Sequence, residues 1–217
     1  MYDPNILVDI YDESLSHIGN ESKESVHHTG SWHKSIHCWI ARKDSTGEYL
    51  LFQKRGAHKR LLPNFFDVTV AGHFELGETV NDAFREVTEE LGVKTNFSDW
   101  KYLGVKFDVN KNSETVNKEF CETFIYRDDR ELSEYILCED EVDSLFQIPI
   151  DEGLRLFEGE IPSLLVQGIA INSLTRKWES VTFNVTKDLF IPRTDYYYSK
   201  MLVIAKLFLS GYKYLYV

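Results

Sequence analysis

Two patterns overlap on residues 80–91. Val80, Ala83, Phe84, Val87 and Leu91 recur at helical spacing and predict a helix with one apolar face. Glu86 and Glu90, four residues apart, share a different face, and Glu89, three from Glu86, borders it. Thr79 is a suitable N-cap and Gly92 a suitable stop. Immediately upstream, residues 66–71 read as a β-strand that ends at Gly72, so the segment predicts a strand–loop–helix unit. Like charges at this spacing cost an isolated helix roughly 0.2–0.5 kcal/mol per pair, unless Arg85 or a cation offsets them. Clustered oxygen ligands of this type suit Mg²⁺ or Mn²⁺. Taken alone, a run of glutamates is most often a solvated helix face.

The rest of the chain supplies the strands such a helix needs. Residues 5–11 alternate as a strand, and the polar stretch 12–24, with a turn signal at Gly19 and Asn20, completes a predicted N-terminal hairpin or arm. Residues 35–42 and 48–54, separated by a turn-prone segment, predict paired core strands. Further strands are expected over 100–109 and 120–127 with a polar loop at 110–117, then a helix or loop around 139–145 and a short helix over 150–157. Met201, Ile204, Ala205 and Phe208 predict a longer helix over 196–209, soon after Pro192. With no repeat and no low-complexity linker, one mixed α/β domain is expected, with an arm at 1–34, a core at 35–150 and a C-terminal extension at 151–217.

Charge narrows the partners. The 35 acidic and 24 basic residues leave a formal charge of −11, which repels nucleic-acid backbones and anionic lipid, so neither is an expected partner. An acidic protein that handles phosphates needs a cation as intermediary. Residues 1–12 carry Asp3, Asp9 and Asp12 and no basic segment before their short apolar run, unlike a signal peptide, and no apolar stretch reaches membrane-spanning length. The three cysteines, Cys38, Cys121 and Cys138, form neither a disulfide framework nor a metal-ligand spacing and are expected as reduced thiols in the cytoplasm.

The flanks of the glutamate helix change how it reads. Gly72-His-Phe-Glu-Leu-Gly-Glu78, followed by Arg85-Glu-Val-Thr-Glu-Glu-Leu-Gly-Val93, resembles the Nudix box: Gly, five residues, Glu, seven residues, then Arg-Glu-apolar-x-Glu-Glu-x-Gly-apolar. Every fixed residue type is present. One departure is a gap of six residues between Glu78 and Arg85; with Glu78 kept as the family's first glutamate, the deletion falls at the helix start. The resemblance implies an α/β/α Nudix sandwich with a mixed sheet, here with a C-terminal helical extension. It implies hydrolysis of a diphosphate linkage in a nucleoside-diphosphate-linked or other small organic diphosphate, with Mg²⁺ as cofactor and Mn²⁺ as the alternative. By the same resemblance Glu86 and Glu90 bind the metal, and Glu89 joins them or takes a proton from the attacking water, so that Glu86 and Glu89 carry the catalysis. The Gly72 carbonyl is a further ligand, and Glu78, Arg85 and Gly92 are structural parts of the motif. Many such enzymes draw one more carboxylate from a later strand, for which Glu119 is preferred to Glu122.

Upstream, Trp32-His33, residues 36–40, Gln53-Lys54-Arg55 and residues 66–73 are similar to isopentenyl-diphosphate isomerases and their related hydrolases, a likeness covering residues 5–127. Lys54 and Arg55 are expected to contact substrate phosphate, as is His73. His73 and His33 match metal-binding histidines of the isomerases, with His28 a looser candidate, which makes a second metal site an expectation. The isomerases place a catalytic cysteine before the Gly-His pair. Here that position is Ala71, whose methyl is neither acid nor base, and Cys38 and Cys121 do not replace it in register. An isomerase is therefore the disfavoured alternative. A noncatalytic diphosphate-binding module is another, although such modules usually lose helix carboxylates that this chain keeps. Residues 190–198, rich in aromatics, leave core packing, a homodimer surface and a pocket wall open, although aromatic clusters are more often core.

Overall fold

The apolar run of the first predicted core strand becomes the axis of the molecule. In the computed structural model, which describes residues 5–217 except 60, 112–114, 173 and 194, strand β3 (Trp32–Lys43) is a twelve-residue strand buried along most of its length. Continuous burial is what a strand flanked on both edges and covered on both faces requires. Its partners are β8 (Val116–Arg127), parallel; β6 (Val70–His73), antiparallel; and, at its far end, β4 (Glu48–Arg55), antiparallel. β1 (Leu7–Tyr11) joins it and pairs with β2 (His17–Ser22). β5 (Phe66–Asp67) pairs with β4, and β7 (Lys101–Lys111) with β8. Beyond β4 the mixed sheet continues through β9 (Val142–Pro149), β10 (Leu164–Ile171) and β11 (Trp178–Val185).

Alternation along the central strands sends side chains into two cores. Trp39, Ala41, Leu50 and Phe52 pack with α4 (Ile150–Phe157) and α5 (Tyr197–Leu209). Ile36, Cys38, Ile40 and Leu51 pack with Ala83, Val87 and Leu91 from the short helices α2 (Val80–Ala83) and α3 (Arg85–Leu91). Helices therefore cover both faces, as an α/β/α sandwich demands. Among the described residues no helix is long and apolar enough to cross a membrane.

Several expectations need correction. Gly19 and Asn20 lie inside β2 and not in a turn; the turn is at residues 12–16, where the Asp12 carboxylate accepts hydrogen bonds from the Ser14 and Ser16 amides. The polar stretch after it holds helix α1 (Lys23–Thr29), capped by Ser22 and stopped by Gly30 at φ 71°. The predicted loop at 110–117 shrinks, because β7 runs to Lys111 and β8 starts at Val116; its centre, 112–114, lies outside the described residues. Residues 142–145, expected as helix or loop, open β9, since pairing with β4 on one side and β10 on the other outweighs weak local preference. The β10–β11 hairpin had no counterpart in the sequence reading. Gly168 breaks the apolar run of β10, yet a Cβ there would come within 2.6 Å of the Leu145 carbonyl oxygen, so close strand approach requires it.

Candidate active site

The carboxylates come together because the helix start is broken. Asp82 accepts from the Thr79 amide at 2.9 Å and opens α2, which ends after four residues; Phe84 turns the chain, and α3 begins at Arg85. Arg85 still meets Glu78, with Nε donating to Oε1 at 2.9 Å. The same guanidinium reaches Glu86 at 2.5 Å and Glu75 and Glu89 at 3.3 Å. Gly92, at φ 66°, ends the helix as expected.

Glu90 is buried on the opposite flank, with 1% of its surface exposed. Gln53 Nε2 donates to its Oε2 at 3.1 Å, Lys59 Nζ lies 3.7 Å from its Oε1, and Lys59 also pairs with Glu141. Among the described residues Arg85 and Lys59 pair with Glu75, Glu78, Glu86, Glu89, Glu90 and Glu141, and Lys23 adds its charge near Glu86. Burial, reinforced by Glu86 and opposed by Lys59, pushes the Glu90 carboxyl up to about 8. Burial also raises Glu86, against the pull of Arg85. Glu89 is the open member, its side chain 58% exposed. Gly72 closes the patch: a Cβ built on it would lie 2.3 Å from Glu86 Cδ. Only glycine lets the main chain come this near the carboxylate. An acidic cluster and a buried glutamate that resists ionising, with the Gly72 main chain packed close against Glu86, form a donor set that fits a hard divalent cation.

On the other side of Gly72 is a cavity of about 100 Å³. Residues i, i+2 and i+4 of β3 place His33, Ser35 and His37 on one face of the sheet. Register sets Ser35 beside His73 of β6, and His33 beside Glu119 of β8. Helix α1 lowers His27 onto the same spot. A ring nitrogen from each of His27, His33 and His73 lies within 4.8 Å of the others. Glu119 accepts from Ser35 Oγ at 2.7 Å and from Asn117 Nδ2 at 2.5 Å. His73 Nε2 and His33 Nε2 lie 3.3 and 3.9 Å from Glu119 Oε1, yet both nitrogens are buried without a hydrogen-bond partner. Burial lowers His27 to about 4 and His73 to about 3, so both rings are neutral with lone pairs to offer at pH 7. Burial works against the Glu119 carboxylate, but contacts from His73, His33 and Asn117 hold it well below the usual range.

Of the expected site residues, Glu86, Glu89, Glu90, Gly72, Glu78 and Arg85 converge on the first patch, and Arg55, His33, His73, Glu119 and Gly72 meet at the cavity. Lys54 is apart from both: adjacent strand residues point to opposite faces, and it pairs with Asp143 at 2.9 Å. Glu122 is turned away as well and accepts from the Tyr102 hydroxyl. His28 is exposed on α1, and its neighbour His27 takes the place expected of it. Sequence reasoning missed His27, Gln53, Lys59, Asp67, Asp108 and Arg193. For most of these no local signal exists, because strand register and loop path bring them in. For His27 the clue was its position six residues before His33.

A hydrolase of the α/β/α sandwich class, with a strand–loop–helix unit that presents clustered glutamates, is what this fold and patch define. The sequence pattern of the NUDIX domain matches residues 32–164, and the chain belongs to the Nudix family of pyrophosphohydrolases, enzymes that cleave diphosphate linkages and generally use divalent metals. An uncharacterised Nudix hydrolase of Clostridium acetobutylicum is 35% identical over 199 residues, covering 90% of this chain and 95% of the relative. Nudix hydrolase 3 of Arabidopsis thaliana is 28% identical over 149 residues, 66% of this chain but 19% of that longer protein. A crystal structure from Deinococcus radiodurans shares the fold, with a TM-score of 0.53 at 22% identity over 70% of this chain and 89% of its own.

Proposed function

We propose that the chain hydrolyses a nucleoside-diphosphate-linked or other small organic diphosphate with Mg²⁺, or Mn²⁺ in its place, held by Glu86, Glu90, Glu89 and the Gly72 carbonyl. The observation that carries this reading is the close approach of Gly72 to Glu86 beside the buried Glu90, whose carboxyl resists ionising. A cation bound there supplies neutralisation of the diphosphate and acidification of water. Glu89, exposed beside Glu86, takes the proton of the water that attacks phosphorus, and the bond to the bridging oxygen breaks as the new P–O bond forms. Arg85 holds Glu86 and Glu89 in place, and Arg55 faces the anionic substrate from the cavity. A panel of organic diphosphates assayed with Mg²⁺, scored by phosphate released after phosphatase coupling, should show turnover that a chelator abolishes. No turnover on any member, or turnover indifferent to chelation, counts against it. Double-bond migration in isopentenyl diphosphate, run alongside, should be absent because Ala71 offers no proton.

The clustered ring nitrogens of His27, His33 and His73, with Glu119 beside them, support a second, nitrogen-rich metal site, suited to Zn²⁺, Mn²⁺ or Fe²⁺ more than to Mg²⁺. Elemental analysis of the purified protein should find such a metal, and His73→Ala with His33→Ala should lose it while retaining the circular dichroism of the parent. Equal metal content in parent and variant would remove this site. The buried free thiols Cys38 and Cys121 support a reducing, cytoplasmic setting, and a homodimer is compatible with the exposed aromatics near α5.

A further inference from the structure

The C-terminal segment sends one charged side chain into the cavity. Arg193, from the stretch before α5, is buried to 6% exposure and lines the cavity together with Arg55. Asp67 ties the two guanidiniums together: Arg193 Nη2 donates to its Oδ1 at 2.8 Å, and Arg55 Nη1 lies 3.7 Å from its Oδ2. Arg193 Nη1 also donates to Asp108, whose other oxygen is held by Lys106 at 2.7 Å. A guanidinium carries five N–H donors. Asp67 and Asp108 take one nitrogen each, and the Nε–H, though buried, has no hydrogen-bond partner among the described residues. Two carboxylates hold the fork rigid while leaving donors unspent, which is the state of a pre-organised anion ligand and not of a saturated structural tie. Arg55 is braced in the same way by the Leu61 and Leu62 carbonyls.

We propose that Arg193 is a substrate ligand that, with Arg55, grips phosphate oxygens of the diphosphate, so that the C-terminal segment completes the substrate pocket. This rests on the cavity being the substrate's seat, as in the function proposed above. The test measures binding of inorganic diphosphate by calorimetry in EDTA, so that it is independent of hydrolysis and of metal. The parent should bind, and Arg193→Lys, which keeps the charge but loses the fork, should weaken binding by about tenfold or more. Arg42→Lys serves as the second variant, because it loses an equally buried fork that ties Asp44 and Glu131 and does not line the cavity. It should lower the melting temperature, as Arg193→Lys does, yet leave diphosphate affinity within about twofold of the parent. Unchanged affinity in Arg193→Lys, equal losses in both variants, or no binding by the parent would each overturn the proposal. Binding that depends on Arg193 in a protein with no turnover on the panel would sustain it and count against the hydrolase reading alone.

Discussion

Glu90→Gln should lower kcat/KM by on the order of a thousand-fold, about 4 kcal/mol of transition-state stabilisation, and weaken Mg²⁺ binding with it. The substitution keeps the size and helix propensity of the side chain, and the amide can still accept from Gln53, so the fold should persist. Its effect on metal-free stability has the opposite sign. Burial raises the Glu90 pKa to about 8, so the folded protein retains a proton that the unfolded chain has already released. That contribution is fully present below the ordinary carboxylate range and is lost as pH rises to about 8. In EDTA the parent should therefore lose melting temperature between about pH 5 and pH 8, whereas Glu90→Gln should show a flatter profile and melt a few degrees higher at pH 8. With Mg²⁺ the order should reverse, because the cation takes the place of the proton. Thermal melts across pH with and without Mg²⁺, beside steady-state rates, read all of this. Near-full hydrolysis by the variant at limiting Mg²⁺ would sink the assignment of Glu90 as a ligand.

Gly72→Ala should cost about a hundred-fold or more in turnover through a single methyl group. The nearest atoms to an added Cβ are Cδ, Cγ and Oε1 of Glu86, at 2.3, 2.4 and 2.5 Å, closer than any real contact. Gly72 does not have a positive φ, so alanine meets no backbone strain, and the conflict falls on the glutamate. Displacing Glu86 breaks its 2.5 Å bond to Arg85 and moves its carboxylate away from the Gly72 main chain. Stability should change little by comparison. Combined with Glu86→Gln, the loss should be far from additive, since both substitutions remove one contact. Additive losses, or an alanine variant that works normally, would mean that the close approach has no part in catalysis.

The local half of this site was open to reading from sequence. A helix fixes the relation of Glu86, Glu89 and Glu90 by spacing alone, and a capping threonine and a terminal glycine mark its ends without help from the rest of the chain. The break at Phe84 was less visible. Helical spacing predicted one unbroken helix, whereas keeping Glu78 within reach of Arg85 across a shortened connection required two.

Strand pairing lies at the other extreme. That β3 would run parallel to β8 and antiparallel to β6, setting His33 against Glu119 and Ser35 against His73, is a matter of register, and a slip of one residue would turn each side chain to the opposite face. Lys54 and Arg55 looked equivalent in sequence, but pleating sent one to Asp143 and the other to the cavity. The raised pKa of Glu90 likewise depends on burial in the assembled protein, against the pull of Lys59, which no spacing within α3 reports. The sequence by itself therefore determined the carboxylate face, the capped helix region and the class of chemistry, because each rests on contacts within a few turns of chain; the single strand expected over 66–71 instead splits into β5, paired with β4, and β6, paired with β3, with Gly72 inside β6. The histidine cluster, the choice of Arg55 over Lys54 and the entry of Arg193 from 126 residues beyond Asp67 were decided only by the tertiary structure, because burial and register are properties of the assembled sheet.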